Sequence, residues 1–342
     1  MQIDPAAIRI GVVGGGSWGT AMANLLALKG YAVDLWVFEA ELVEQIATER
    51  ENRTYLPGVE LSHNIRPSAD MAQVAADKQV LVMVVPSHVM RAVTRQLAPY
   101  PSAQTLIVSA SKGIENDTQM TMTDVLTQEI EQIPSRQIAV LSGPSFASEV
   151  ARQVPTAVAV AALDAVVAAR LQQVFFTDYF RVYTNDDLVG TQLGGAVKNV
   201  IAIAAGIADG LGLGLNTRAA LITRGLTELR RLGLKMGASA RTFTGLAGIG
   251  DLLLTCTGTL SRNHSVGEKI GQGAKLEDII GQMNMVAEGV KTARSIYNLS
   301  RRLNVEMPIC QEVYNMLYDG RPPKEALLRL MTREPRQELD EQ

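Results

Sequence analysis

The 342-residue sequence predicts an α/β protein, with a doubly wound sheet in its N-terminal half and an all-helical C-terminal domain. Three observations support this fold class. Short apolar runs that end in Gly-, Ser- or Pro-containing loops alternate with helical stretches over the first half, which is typical of parallel sheets. A long, almost wholly apolar segment follows, and beyond it we find no clear strand pattern. We therefore expect two domains, residues 1–188 and residues 189–342.

Composition limits the class of protein. Hydrophobic residues make up 47% of the chain, and the formal net charge is −3, so no global basic field attracts nucleic acid. The two cysteines, Cys256 and Cys310, indicate neither a disulfide framework nor a metal site. Glycines and a lysine interrupt the longest apolar stretch, so we expect no membrane insertion. The first residues lack the basic start and apolar run of a signal peptide, and we expect a cytoplasmic protein.

A glycine motif lies inside the first predicted βαβ unit. The predicted strand, helix and second strand cover residues 8–13, 20–29 and 33–38, and residues 14–19 read Gly-Gly-Gly-Ser-Trp-Gly. Gly14 permits a tight turn, Gly16 lets the backbone approach a pyrophosphate, and Gly19 lets helix and strand pack closely. The N–H groups at the start of the helix then face the phosphates. A simple Gly-rich turn explains this spacing poorly, so the motif predicts a Rossmann-type dinucleotide-binding domain.

Glu39 follows the second predicted strand, 20 residues after Gly19. A carboxylate there can accept hydrogen bonds from the adenosine ribose and repel a 2′-phosphate. Residues 35–49 contain no Arg or Lys that could bind that phosphate. The sequence therefore favours NAD over NADP. The alternative is an ordinary carboxylate in the first turn of the next helix.

Further strands are predicted at residues 79–85, 105–109, 137–141, 156–161 and 179–184. The first three of them end in loops that contain Ser, Gly or Pro. Such loops lie at the carboxyl edge of the sheet, where open parallel sheets bind ligands. Lys112 and residues 143–145 are therefore predicted on the same edge as the glycine motif. By itself, Lys112 would more simply be a solvated loop lysine.

One lysine, Lys198, lies in the long apolar segment at residues 192–216, which predicts a core helix. Burial disfavours the charged ammonium and lowers its pKa, unless an anion lies opposite. A lysine with a pKa near neutrality can exchange a proton with a carbonyl or hydroxyl group. The alternative is a lysine whose stem is packed and whose head reaches water.

Two polar features follow in the helical half. Asp251 opens an apolar helical run after two glycines, where the simplest role is that of a helix N-cap. Ser261, Arg262 and Asn263 form a polar cluster that suits a phosphate, because Arg offers a bidentate fork and its neighbours add donors. The alternative for this cluster is a polar loop with a surface Arg.

Several motifs occur in a fixed order from about residue 8 to about residue 320. They are Gly-Gly-Gly-Ser-Trp-Gly-Thr-Ala from Gly14, Asn-Arg-Thr-Tyr-Leu-Pro-Gly from Asn52, Val-Pro-Ser-His from Val85, Ser-Lys-Gly-Ile-Glu from Ser111, Leu-Ser-Gly-Pro-Ser-Phe-Ala from Leu141, Gly-Gly-Ala-Val-Lys-Asn-Val-Ile-Ala-Ile from Gly194, Asn-Thr-Arg-Ala-Ala-Leu-Ile-Thr-Arg-Gly from Asn216, Gly-Leu-Ala-Gly-Ile-Gly-Asp-Leu from Gly245, Leu-Ser-Arg-Asn from Leu260 and Val-Ala-Glu-Gly-Val from Val286. With these motifs the chain resembles the NAD(P)-dependent glycerol-3-phosphate dehydrogenases of the soluble bacterial kind.

The resemblance implies that the site lies between a Rossmann domain and a helical domain. It implies reversible reduction of dihydroxyacetone phosphate to sn-glycerol 3-phosphate, the backbone precursor of phospholipids. Lys198 is then the general acid/base, and Lys112 contacts both substrate and cofactor. We add the hypothesis that Asp251 holds Lys198 in place.

The resemblance also implies the binding residues. The substrate contacts are Lys112, Gly143, Ser145, Lys198, Asp251, Ser261, Arg262 and Asn263. The residue pattern already gives Gly14, Gly16, Gly19 and Glu39 as cofactor positions. The resemblance adds Ser17, Trp18, Phe38, Lys112, Ala147, Arg262, Val286 and Glu288. No metal is expected, and the family suggests a homodimer.

One departure from the family bears on the cofactor. Many bacterial members carry His or Arg just after the Trp of the second strand, where this chain has Val37, Phe38 and Glu39. This sequence is more similar to the NAD-using eukaryotic relatives. We therefore expect NAD(H) as cofactor, and dual use with NADP(H) stays open.

Other functions fit the sequence less well. A hydroxyacid dehydrogenase of the 6-phosphogluconate or 3-hydroxyisobutyrate kind would carry Asn one helical turn after the lysine, where this chain has Ala202. A non-catalytic nucleotide-binding redox sensor would not need Lys112, Lys198 and Asp251 together. A lactate-type mechanism needs a catalytic His, and the candidates are His63, His88 and His264, of which the last lies in the predicted phosphate cluster.

Overall fold

The computed structural model describes residues 8–283, 287–335 and 337–338. Within that part of the chain, the strands are β1 Arg9–Val13, β2 Ala32–Trp36, β3 Ile65–Ser68, β4 Val80–Met83, β5 Leu106–Ser109, β6 Ile138–Ser142, β7 Thr156–Ala162 and β8 Phe180–Asn185. They form one sheet in the order β3-β2-β1-β4-β5-β6-β7-β8. All neighbours pair in parallel except β6 and β7, which are antiparallel. The strand order reverses between β1 and β4, and a ligand crevice is expected outside the carboxyl ends at such a point.

The helices divide into two sets. Those interspersed with the strands are α1 Ser17–Leu28, α2 Ala40–Glu49, α3 Met71–Ala75, α4 Met90–Leu97, α5 Met122–Glu129, α6 Ala147–Ala151 and α7 Ala165–Phe175. Those that follow the sheet are α8 Leu188–Gly210, α9 Gly214–Lys235, α10 Asp251–Thr257, α11 Arg262–Gly271, α12 Leu276–Gly281, α13 Glu288–Leu303, α14 Pro308–Tyr318 and α15 Pro323–Met331. The predicted fold class is confirmed.

Helix α8 is the centre of the helical half. Residues 190–208 are all buried, because α9, α10, α11 and α13 pack around them. By length and composition α8 could cross a membrane, but 89% of its most apolar window is buried inside the structure, as in the core helix of a soluble fold. Glycines let α8 and α11 approach closely: a Cβ at Gly206 would lie 2.0 Å from the carbonyl oxygen of His264. A Cβ at Gly267 would lie 2.1 Å from that of Ile203.

Four details differ from the sequence prediction. The apolar segment at residues 192–216 is not one helix, because α8 ends at Gly210 and α9 begins at Gly214. Strand β3 was not predicted, because its sequence Ile-Arg-Pro-Ser contains Pro67, and proline is tolerated here only because β3 is an edge strand. Strand β2 ends at Trp36, so Phe38 lies beyond it. Helix α1 begins at Ser17, directly after the extended residue Gly16, and not at residue 20. The domain boundary at 188/189 stays a prediction, since α8 also contacts β6.

Candidate active site

The glycine turn between β1 and α1 is shaped by close backbone contacts. Gly14 has a φ of +125°, and a Cβ there would lie 2.8 Å from the carbonyl oxygen of Val84. A Cβ at Gly19 would lie 1.8 Å from the carbonyl oxygen of Gly14, so the helix could not pack on the strand with any other residue. By contrast, no described protein atom lies within 4 Å of the Cβ position at Gly16. Gly16 therefore leaves open space where the backbone can approach a ligand.

The N-terminus of α1 is suited to an anion. Gly16 is its N-cap and has no side chain to offer, and the first turn carries no acidic residue. N–H groups at such a helix start attract phosphate. The turn is braced by Asn52, which is fully buried and donates from Nδ2 to the Gly15 carbonyl and to Thr20 Oγ1, both at 2.8 Å. The position is rigid and fits the pyrophosphate of a dinucleotide.

The end of β2 presents a ring and a carboxylate. Phe38 is 78% exposed, and its ring meets Trp36 edge-on at 6.2 Å between centroids. Glu39 occupies the N-cap position of α2, but within this described helix its side chain makes no capping bond. Instead, Glu39 Oε1 accepts a hydrogen bond of 2.8 Å from the Tyr55 hydroxyl. Glu39 is thus not simply a first-turn carboxylate.

One buried carboxylate joins two lysines. Lys112, in the loop after β5, donates from Nζ to Asp251 Oδ2 at 2.7 Å and to the Gly143 carbonyl at 3.1 Å. Lys198, on α8, donates from Nζ to Asp251 Oδ1 and to Thr255 Oγ1, the latter at 2.9 Å. The Asp251 side chain is 1% exposed. Asp251 lies 139 positions after Lys112 and 53 positions after Lys198 in the sequence, and the fold brings all three side chains together.

Burial controls the chemistry of Lys198. It lowers the pKa of the ammonium from 10.5 to about 7; the charge of Asp251 opposes this shift, and that of Lys112 adds to it. With 7% of the side chain exposed, the alternative of a lysine head in water is wrong. Lys112 is likewise held in an ion pair and is not a freely solvated loop lysine.

Local sequence places Asp251 against the lysines. A π-helical turn at Leu246–Gly250 leads into α10, so the N-cap is Gly250 and the N-cap interpretation of Asp251 is wrong. Gly194 makes the approach possible, because a Cβ there would lie 1.9 Å from the Ala247 carbonyl oxygen. Gly195 leaves room for the aliphatic stem of Lys112, because a Cβ at Gly195 would lie 3.2 Å from Lys112 Cγ.

Thr255 belongs to this cluster and was not predicted. It lies one helical turn after Asp251 and bonds to the carbonyl of Asp251 at 2.6 Å as well as to Lys198. Thr255 lies four residues after Asp251, a spacing that places two side chains side by side on a helix, and this spacing was the signal that could have identified it.

The predicted phosphate cluster lies at the start of α11. Ser261 is the N-cap and accepts a hydrogen bond of 3.2 Å from the His264 amide. Arg262 is the first residue of α11, so it does not lie in a polar loop, although its side chain is exposed as that alternative expected. Asn263 Oδ1 accepts from the Gly289 amide at 2.9 Å, which ties α11 to α13. His264 Nε2 forms a hydrogen bond of 2.6 Å with Asp209 Oδ2.

The remaining predicted positions surround these groups. Glu288 begins α13, and its carboxylate accepts a 2.6 Å bond from the Ser87 hydroxyl. Burial raises the pKa of Glu288, and the bonds from Ser87 oppose this. Gly143 has a φ of +147° and its carbonyl accepts from Ser145 Oγ at 3.0 Å, while Ala147 begins α6. Val286 lies outside the described residues.

Within the described ranges, no cluster of three His, Cys, Asp or Glu side chains could hold a metal ion.

The class of protein follows from these features. A glycine turn at the point where strand order reverses fits a nicotinamide dinucleotide. A buried Lys–Asp–Lys cluster on the same edge of the sheet fits proton transfer beside it. Together they define a dinucleotide-dependent dehydrogenase whose site combines the sheet with a helical region.

Comparison with known proteins identifies the family. The model of the NAD-dependent glycerol-3-phosphate dehydrogenase N-terminus matches residues 9–168, and that of the C-terminus matches residues 187–328. The glycerol-3-phosphate dehydrogenase (NAD(P)+) of Geobacter sulfurreducens is 57% identical over 326 residues, which cover 95% of this chain and 97% of the relative. The chain belongs to the NAD-dependent glycerol-3-phosphate dehydrogenase family. It is an NAD(P)-dependent oxidoreductase that acts on a CH–OH group.

Solved structures agree with this assignment. The crystal structure of glycerol-3-phosphate dehydrogenase from Coxiella burnetii has a TM-score of 0.92 and 38% identity, and the match covers 95% of this chain and 99% of that one. A ketopantoate reductase from Ralstonia eutropha has a TM-score of 0.60 and 14% identity, with 94% and 100% of the chains covered. This second likeness shows the fold alone. The resemblance predicted from the sequence is confirmed.

Proposed function

We propose that the chain reversibly reduces dihydroxyacetone phosphate to sn-glycerol 3-phosphate, with NAD(H) as the preferred cofactor, and so supplies glycerophospholipid synthesis. The observation that carries this proposal is the carboxylate of Asp251 between Lys112 and Lys198, on the same carboxyl edge of the sheet as the glycine turn. The hydroxyacid dehydrogenase alternative remains less suitable, because Ala202 replaces its expected Asn.

Lys198 is proposed as the general acid of the reduction. When bound, the nicotinamide supplies a hydride. As the carbonyl oxygen of the substrate gains negative charge, the Lys198 ammonium donates a proton to it. Asp251 and Thr255 fix the position of Nζ. Lys112 adds a second positive charge, which stabilises the same oxygen or the neighbouring phosphate.

The cofactor fits residues of the N-terminal half. The turn that contains Gly14, Gly16 and Gly19 would hold the pyrophosphate, with the N-terminus of α1 behind it. Phe38 and Glu39 lie where the adenosine would emerge at the end of β2. The other proposed contacts from this half are Ser17, Trp18, Lys112 and Ala147, and those from the helical half are Arg262, Val286 and Glu288.

The test is oxidation of NADH or NADPH by dihydroxyacetone phosphate, followed by absorbance in parallel assays. We expect both reactions to be measurable and NADH to have the larger kcat/KM. A folded protein that binds NADH but oxidises neither cofactor would contradict the proposal and favour the sensor function.

Arg262 is proposed to anchor the substrate phosphate, with Ser261, Asn263, Gly143 and Ser145 completing the substrate site. Arg262→Ala is expected to raise the KM for dihydroxyacetone phosphate by about 10- to 100-fold, because a charge-assisted hydrogen bond is lost. The measurement is a substrate titration at saturating NADH. Arg170→Ala, an exposed change on α7, is the control. An unchanged KM would exclude Arg262 as the anchor.

The reaction should depend on pH in opposite senses in its two directions. The pKa of Lys198 is about 7, so its ammonium is lost as pH rises through 7. The kcat for ketone reduction therefore falls above pH 7, whereas that for alcohol oxidation, which needs the neutral amine, rises. Between this pKa and 10.5 the unfolded chain binds more protons, so the free energy of unfolding also rises with pH. A pH profile of kcat in both directions tests this, and parallel profiles would contradict the assignment.

We also propose a cytoplasmic homodimer with domains at residues 1–188 and 189–342. The family resemblance supports the dimer, and the sequence pattern supports the boundary. Light scattering distinguishes a dimer from the 36.9 kDa monomer.

A further inference from the structure

We infer that Tyr55 is a specificity-determining residue, which holds the carboxylate of Glu39 where it favours NADH and disfavours NADPH. This inference rests on the proposed function, because it assigns the cofactor selectivity of the same site. Tyr55 contributes by positioning Glu39 and takes no part in hydride or proton transfer.

The contact between the two side chains is direct. The Tyr55 hydroxyl donates to Glu39 Oε1 at 2.8 Å, although the residues are 16 positions apart in sequence. Glu39 is otherwise exposed at the end of β2, where a free side chain would sample several rotamers. Burial and the neighbouring Glu39 both raise the pKa of Tyr55, so its hydroxyl stays a donor at neutral pH.

Tyr55 is itself fixed to the pyrophosphate turn. Its amide donates to Asn52 Oδ1 at 3.0 Å. The amide nitrogen of the Asn52 side chain donates in turn to the Gly15 carbonyl at 2.8 Å. Asn52 is completely buried, so water does not compete for these hydrogen bonds and the side chain is held in one position. A continuous chain of contacts therefore runs from the glycine turn to Glu39, and it sets the distance between the pyrophosphate and the ribose recognition group.

The segment around Tyr55 is held from both sides. The Arg50 guanidinium donates to the carbonyl oxygens of Leu61 and Ile65, at 3.3 Å and 3.1 Å. Glu51 Oε1 accepts from the Gly58 amide at 2.7 Å. The Tyr55 ring packs on the apolar core of the N-terminal half. The hydroxyl therefore marks a fixed point in space, and Glu39 adjusts to it.

Selectivity follows from the charge that this point fixes. Tyr55 occupies Oε1, which leaves Oε2 and the outer lone pairs to accept from the ribose hydroxyls of NADH. A 2′-phosphate would instead meet a carboxylate that cannot rotate away. Without the hydroxyl, the Glu39 side chain is free, and ordering it on the ribose costs rotamer entropy when NADH binds. The same free side chain can rotate away from a 2′-phosphate, which reduces the repulsion of NADPH.

The test uses Tyr55→Phe, which removes only the hydroxyl. Its readouts are the Kd for NADH and for NADPH, from nicotinamide fluorescence, and kcat/KM with each cofactor. We expect the NADH Kd to rise by about 3- to 10-fold, as for one side chain that loses its preorganisation, with the NADPH Kd unchanged or lower. The KM for dihydroxyacetone phosphate should not move. Tyr183→Phe is the matched control, since this ring is exposed on β8 at the opposite edge of the sheet.

A double-mutant cycle separates positioning from packing. Glu39→Ala should itself reduce the preference for NADH, and Tyr55→Phe in that background should change the ratio of the two Kd values no further, because no carboxylate is left for the hydroxyl to hold. Three results would overturn the inference: an unchanged ratio in Tyr55→Phe, equal weakening of both cofactors, or the same loss in the Glu39→Ala background. The binding readouts do not need turnover, so a protein that fails to reduce dihydroxyacetone phosphate would contradict the proposed function while the role of Tyr55 is still decided.

Discussion

Lys198→Ala should lower kcat for reduction of dihydroxyacetone phosphate by about 10³-fold or more, since proton transfer and charge stabilisation are lost together. The Kd for NADH should change little, because the glycine turn and Glu39 are untouched. Steady-state assays and fluorescence titration of the same preparation give both values. A smaller loss would mean that Lys112 or a water molecule supplies the proton.

Two further variants make this result specific. Lys198→Met fills more of the buried space than Ala and should lose the same activity, which separates chemistry from a cavity. Lys235→Ala removes an exposed lysine at the end of α9 and should behave as the parent protein. Near-normal turnover by either Lys198 variant would exclude it as the general acid.

Asp251→Asn should have the second largest effect. The carboxylate lies between two ammonium groups, and without it burial and the charge of Lys112 both lower the pKa of Lys198 further. The protonated form then becomes scarce at pH 7, and kcat for reduction should fall by about 10²-fold. Removing one partner of a buried ion pair should also destabilise the fold by about 3 kcal/mol.

The pH profile of kcat and denaturant unfolding measure these two effects separately. The inflection for reduction should move below pH 7 in Asp251→Asn, and Asp251→Glu should recover part of the shift. Asp278→Asn, an exposed change on α12, is the control for both measurements. An inflection that stays near pH 7 would show that Asp251 does not set the protonation of Lys198.

Much of the fold could be predicted because its signals are local. The glycine spacing, the apolar strands and the unbroken apolar helix around Lys198 each depend on neighbours in sequence. Strand β3 escaped this reasoning, since Pro67 is acceptable only at an edge that the sequence does not mark. The local pattern at Asp251 likewise predicted a helix cap, and only the resemblance and the hypothesis built on it placed it beside Lys198.

The missed details are contacts between distant segments. Lys112 and Asp251 are 139 residues apart, and no periodicity specifies that they meet. Tyr55 reaches Glu39 from an irregular segment, where local rules give no direction for a side chain. Ser261 shows a local role that was not predicted: it is the N-cap of α11, and its proposed contact with the phosphate stays a prediction.

The close contact between α8 and α11 fixes the distance between the side chains that these two helices carry. Lys198 is carried by α8 and Arg262 by α11, and the backbone contacts at Gly206 and Gly267 prevent these helices from sliding past each other. The span between the proposed proton donor and the proposed phosphate anchor is therefore constant, whichever nicotinamide nucleotide is bound. From the proposed roles of Lys198 and Arg262, we expect two packed helices to set the length of an acceptable substrate, from its carbonyl oxygen to its phosphate, separately from the choice of cofactor.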